Sequence, residues 1–190
     1  MKETLLRYVQ RGRDVLVWKL DGLSEYDIRR PMVPTGTNLL GLVKHVATVE
    51  AGYFGDVFGR PFPESLPWAE EDAEPNADMW ATADESRDSI VDFYKRVWAH
   101  SDDTVNALEL DATGLVPWWP EERRHPTLHD ILVHVIGENH RHAGHADILR
   151  ELIDGATGQR QDVSDFDYPF DWEQHRARVE QAARDASAAG

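Results

Sequence analysis

The sequence predicts an all-α protein: a four-helix bundle with long connectors and a C-terminal extension. Three observations carry this. Apolar residues recur every three or four positions in four separate stretches. No stretch alternates apolar and polar residues as a half-buried strand would. The stretches are punctuated by proline- and glycine-rich connectors, which suit a bundle whose helices are joined across its ends.

The first helix is expected from about Lys2 to Leu20, with Leu5, Val9, Val15, Leu16 and Leu20 near helical spacing and Trp18 beside them. Asp21-Gly22-Leu23-Ser24 breaks it, and a connector with Pro31 and Pro34 follows. Thr37 or Asn38 caps the second helix. Leu39, Leu42, Val43, Val46, Val49 and Tyr53 then give an amphipathic run to about Phe54. Gly55 to Pro75 is a long connector with Pro61, Pro63, Pro67 and Pro75, the kind of segment that often forms a lid or rim.

A third helix is expected from about Ala77 to His100, with Trp80, Ala83, Arg87, Ile90, Val91, Tyr94 and Val97 facing inward. Ser101-Asp102-Asp103-Thr104 opens a less regular segment, and Asn106 to Leu115 reads as extended or a short turn. The fourth helix is the clearest: Thr127 caps it, and Gly155 stops it. From Ala156 the chain is polar, with an acidic-aromatic stretch, DVSDFDYPFDW, and a helix from about Asp171 to Ala186. The domain organisation expected is a bundle over residues 1–155 and an extension over 156–190 belonging to the same domain.

Composition narrows the function classes. The net charge of -15 repels phosphate backbones and anionic lipid surfaces, so neither nucleic acid nor membrane is an expected partner. The chain has no cysteine, which excludes disulfides, thiolate metal sites and cysteine nucleophiles. It shows no apolar run of the ~18 residues a membrane span needs. A soluble cytoplasmic protein acting on a small molecule is the expectation.

The residues with chemical content lie in GENHRHAGHAD, from Gly137. Along the fourth helix, Ile131, Val135, Glu138, His142, His145, Leu149 and Leu152 are separated by 4, 3, 4, 3, 4 and 3 residues, the rhythm of a buried stripe. Glutamate and histidine in such a stripe are costly unless compensated, and a divalent cation compensates them directly. Glu138 and His142 share a helix face at a spacing of four, and bundle metal sites draw further ligands from facing helices. His45, the sole histidine of the second helix, lies near that helix's inward stripe. His45, Glu138 and His142 would supply three ligands and leave a position open, as catalytic zinc sites do. His134 and His145 remain alternative ligands on spacing alone. His140 is expected to point outward. Glu50, five residues after His45, reads as a solvated helix residue. Asp147 and Arg150 read as an ion pair, and Arg141 as a surface group. Tyr53, Trp80, Trp118 and Trp119 are candidates for a pocket mouth; in Pro117-Trp118-Trp119-Pro120, both tryptophans cannot face one core.

The segments TGTNLLGLVKHVATVEAGYF and ENHRHAGHADILRELIDG resemble the DinB-like (DinB/YfiT-like) superfamily of metal-binding four-helix bundles, over about residues 1–155. The likeness is closest to an actinobacterial-type branch related to the mycothiol-dependent maleylpyruvate isomerases. Many members carry three histidines; here Glu138 stands where the first of the late pair would be. The resemblance implies an up-down-down-up topology. It also implies His45, Glu138 and His142 as metal ligands and His145 as a residue behind them or beside the substrate. Zinc is the first expectation for the ion and nickel the second. A homodimer and a low-molecular-weight thiol such as mycothiol are further implications. The chemistry expected is then thiol transfer or thiol-assisted isomerisation, or, with metal-activated water, hydrolysis. The competing expectation is a non-catalytic, metal-stabilised bundle that binds a ligand or partner.

Overall fold

A computed structural model of the chain describes residues 1–163, 166 and 168–188. Ser164, Asp165 and Asp167 of the acidic-aromatic stretch lie outside these residues. Among the described residues there are six helices: α1 (Lys2–Trp18), α2 (Glu25–Arg29), α3 (Leu39–Phe54), α4 (Arg87–Ala107), α5 (Leu128–Asp154) and α6 (Trp172–Ala188). They contain no strand, only isolated bridges between Thr113 and Thr127 and between Arg160 and Val163. The all-α expectation holds. No helix among them is long and apolar enough to cross a membrane.

Helix boundaries follow the capping chemistry. Asn38 caps α3, its side chain accepting from the Gly41 N–H at 2.8 Å. Thr127 and Asp130 form a reciprocal capping box on α5. Gly155 ends that helix at φ 81°, a left-handed position that glycine occupies without steric cost. The third expected helix is displaced. Ser86 is the true cap of α4, accepting from the Ser89 N–H at 3.0 Å. The residues expected to begin the helix instead form a separate turn at Ala77–Met79, entered through left-handed Asn76, and Trp80 is extended. The helix also runs through Ser101-Asp102-Asp103-Thr104, because Ser101, Thr104 and Val105 face the interior.

Pairings between helices fix the topology. His45 meets His142, and Tyr53, eight residues on along α3, meets His134, eight residues back along α5, so these helices are antiparallel. Tyr8 of α1 and Lys19, which caps its end, reach His140 and Asp147 of α5 in the same order, so those two run parallel. Lys44 and Glu50 of α3 reach Glu85, just before α4, and Tyr94 in its first half, again in the same order. The result is up-down-down-up. A parallel neighbour demands a connector spanning a helix length, about 24 Å for the 16 residues of α3. That geometric demand accounts for the long, proline-rich path between α3 and α4.

The core has two apolar clusters with a polar layer between them. One contains Leu16, Leu42, Val46, Val97 and Ala146; the other contains Val9, Phe54, Val105, Ile131 and Val135. Between them lie Arg13, Glu50, Tyr94 and Asn139, one from each bundle helix and all buried. Glu50 is fully buried, which overturns its reading as a solvated residue. Its carboxylate accepts from Tyr94 Oη (2.8 Å), Asn139 Nδ2 (2.9 Å) and Arg13 Nε (3.0 Å), while Arg13 also reaches Asp102 at 2.9 Å. Burial pushes the Tyr94 hydroxyl well above its ordinary pKa, and the Glu50 charge adds to this. Burial acts to lower the Arg13 pKa, but Glu50 and Asp102 outweigh it and hold the guanidinium charged.

The expected stripe of α5 holds at Ile131, Val135, His142 and Leu149 and fails at Glu138, His145 and Leu152. The buried side runs through Ile131, Val135, Asn139, His142, Ala146 and Leu149. Glu138, with a side chain 27% exposed, lies on the flank; His145 is exposed, and Leu152 is 64% exposed. Asp147 and Arg150 do not pair with each other. Asp147 binds Lys19 at 2.5 Å, and Arg150 binds Asp154 at 2.8 Å. No described residue of α6 is buried.

Candidate metal centre

The antiparallel packing of α3 on α5 brings the expected residues together. The rings of His45 and His142 stand 4.8 Å apart, edge to face. Glu138 Oε2 lies 3.5 Å from His142 Nε2, and Arg141 Nη1 lies 3.7 Å from the same carboxylate oxygen. His145 Nδ1 lies 3.4 Å from His142 Nδ1. His140 turns to the α1 side, where Nε2 meets the Tyr8 carbonyl at 3.3 Å. His134 sits two turns away among Tyr53 and Trp119, and burial lowers its pKa while the Glu138 charge opposes. Trp119 donates to Tyr53 Oη at 3.2 Å, and Trp118, although exposed, also sets its ring 5.7 Å from that of Tyr53.

Among the described residues, no three such side chains already stand ready around one ion. The arrangement nevertheless leaves matching donor atoms. His45 Nδ1–H donates to Asp78 Oδ2 at 2.6 Å, and this bond holds the Asp78 carboxyl below its ordinary pKa. The bond commits Nδ1, which leaves Nε2 as the ring's donor atom. A carboxylate behind a histidine in this manner is the usual support of a metal-binding imidazole. In His142, Nδ1 is the atom nearest His145, and buried Nε2 has no hydrogen-bond partner. Burial first, then the neighbouring His45 and His145, push the His142 pKa down to about 4, with Glu138 opposing. His142 is therefore neutral at pH 7, the state in which imidazole binds a cation. A buried ring nitrogen without a hydrogen-bond partner, beside a carboxylate and a second oriented imidazole, fits a divalent metal.

Asp78 is the site residue that the sequence reading missed, since its segment was read as the start of a helix. A signal was present: Pro75-Asn76 is a turn pair, and the cap Ser86 lies further on. The turn carrying Asp78 rests on Gly41, because a Cβ at that position would occupy the space of the Met79 carbonyl. Lys44 Nζ holds the same segment through the Ala77 and Trp80 carbonyls, each at 3.1 Å. Gly41→Ala is thus expected to push the turn outward and detach Asp78 from His45. Metal affinity should fall roughly 10- to 100-fold, as for other losses of a supporting carboxylate, with helicity retained. Titration with zinc checks this; unchanged affinity would separate Asp78 from the site.

An all-α bundle with a histidine and carboxylate cluster between antiparallel helices is a familiar frame for metal-assisted chemistry. Residues 4–155 match the Mycothiol-S-transferase family, and the chain belongs to that family, within the DinB-like superfamily. No match is found among curated proteins.

Proposed function

We propose that this protein is a metal-dependent mycothiol S-transferase, using His45, Glu138 and His142 as ligands of a divalent ion, zinc before nickel. The observation that carries the reading is the pair of facing imidazoles, His45 with Nδ1 committed to Asp78 and His142 with a buried Nε2 that lacks a hydrogen-bond partner beside Glu138. Bound there, the metal would act as a Lewis acid that lowers the pKa of a thiol.

The chain's own side chains do the remaining work. Asp78 fixes the orientation of His45, and His145 stands against His142 Nδ1. The bundle buries His142, so charge near it is weakly screened. Because the chain has no cysteine, the sulfur nucleophile must be brought by the co-substrate. This favours thiol transfer over an enzyme-borne thiol mechanism. The family assignment favours transfer over hydrolysis.

The test is conjugation of mycothiol to an electrophile such as iodoacetamide by metal-loaded protein, followed by mass spectrometry, with glutathione and cysteine as comparison thiols. Conjugate is expected with mycothiol at a rate that chelation abolishes. Hydrolysis of ester or amide substrates without conjugation would replace this reading with a hydrolase. Stoichiometric metal with neither activity would favour the non-catalytic bundle.

A further inference from the structure

A transferase joins two molecules, and two adjoining hollows, one of mixed and one of apolar character, lie beside the histidine cluster. The larger, about 600 Å³, has a mixed lining in which Thr35, Thr37 and Asn76 alternate with Pro31, Met79 and Trp80. It borders the turn that carries Asp78. The smaller, about 310 Å³, is lined by Val33, Thr37, His145, Ile148 and Leu149. Thr37 belongs to both, so the hollows meet at the entry to α3. His145 ties the smaller one to the cluster, since it contacts His142 from the next turn of α5.

We infer that the smaller hollow receives the apolar part of the electrophile, with Val33, Ile148 and Leu149 setting a preference for aryl or alkyl groups over charged or hydroxyl-rich ones. This inference rests on the transferase reading. Three features support it. Only Thr37 and His145 among the lining side chains offer polar atoms, so a ligand rich in hydroxyls or carrying a carboxylate would leave groups desolvated without partners. Ile148 is 59% exposed and Val33 is also exposed, so both hold apolar surface open to solvent that a ligand would cover. The neighbouring hollow is mixed, with Thr35, Thr37 and Asn76 beside Pro31, Met79 and Trp80, and so offers a hydroxyl-bearing ligand more polar partners than the smaller one does. For a benzylic halide the balance is simple. The sulfur pair forms the S–C bond, the C–halogen bond breaks with its pair leaving as halide, and the thiol proton passes to solvent. Electrophiles of this class need no redox partner.

Three measurements decide it: mycothiol conjugation of 4-nitrobenzyl chloride, conjugation of iodoacetamide, and binding of unreactive 4-nitrotoluene followed by the NMR signals of Leu149. With rates divided by the uncatalysed reactivity of each electrophile, kcat/KM should favour 4-nitrobenzyl chloride at least tenfold. Ile148→Asp, at an exposed position that tolerates a charge, should lower that value at least tenfold. It should also weaken 4-nitrotoluene binding by a similar factor, while metal content stays within twofold and iodoacetamide, which has no aryl or alkyl body, loses clearly less than 4-nitrobenzyl chloride. Equal loss on both electrophiles, or unchanged 4-nitrotoluene binding, overturns the inference and leaves the transferase reading intact. If the protein conjugates neither electrophile yet 4-nitrotoluene binds and Ile148→Asp removes it, the apolar subsite stands and the transferase reading falls.

Discussion

With His45, Glu138 and His142 as the proposed ligands, His142→Ala is expected to abolish divalent-metal binding and to slow thiol conjugation by roughly three orders of magnitude. Lewis-acid stabilisation contributes several kcal/mol, and each 1.36 kcal/mol is a factor of ten in rate. Folding should suffer much less, by about 1–2 kcal/mol. The substitution removes packed ring atoms, but it also removes a buried nitrogen without a partner. Metal analysis, circular dichroism and conjugation rate on one preparation separate the two effects. His140→Ala is the control, because His140 faces the α1 side at the Tyr8 carbonyl. Full metal occupancy and rate in His142→Ala would refute the ligand set. A folded, metal-free and inactive variant beside an unaffected His140→Ala would support it.

Much of this site is legible in the sequence because antiparallel helices convert spacing into contact. Once α3 and α5 are recognised, His45 and His142 need only the correct register to meet. Periodicity could not supply the phase of α5. Glu138 and Asn139 are adjacent, and stripes through either one keep three- and four-residue steps. The stripe that is buried continues through Ala143 and Ala146, whose small side chains give a weak hydropathic signal. The expected stripe shares Ile131, Val135, His142 and Leu149 with the buried one, but its last member, Leu152, looks apolar on paper and faces solvent. Glu50 escaped for a related reason. A carboxylate is buried only where several donors converge, and its donors come from α1, α4 and α5, at separations of 37, 44 and 89 residues. Local pattern contains no trace of such convergence. Asp78 was lost to a misplaced helix start, since Trp80, Ala83 and Arg87 mimic helical spacing while the chain is turning.

Glu50→Leu is expected to destabilise the fold by about 3–5 kcal/mol, because it leaves a buried guanidinium without its main partner. Tyr94 Oη and Asn139 Nδ2 would lose their acceptor as well. For a domain of this size that corresponds to a fall in melting temperature on the order of 10 °C, read by thermal and chemical denaturation. Joint replacement, Arg13→Met with Glu50→Leu, should recover most of the loss, since a well-packed apolar pair can match a buried ion pair. A double variant as unstable as the single would contradict this. The pair of variants also asks why the layer exists. Arg13, Glu50, Tyr94 and Asn139 come one from each bundle helix, and Gly12 lets α1 approach Asn139 so closely that a Cβ would stand 2.7 Å from Asn139 Cβ. Such a layer can specify register where an apolar core accepts several. If it holds α3 and α5 in the phase that sets His45 against His142, the double variant will be stable yet bind metal more weakly than the native chain. If metal affinity returns together with stability, the layer contributes stability alone, and the apolar clusters on either side suffice to align the two histidines.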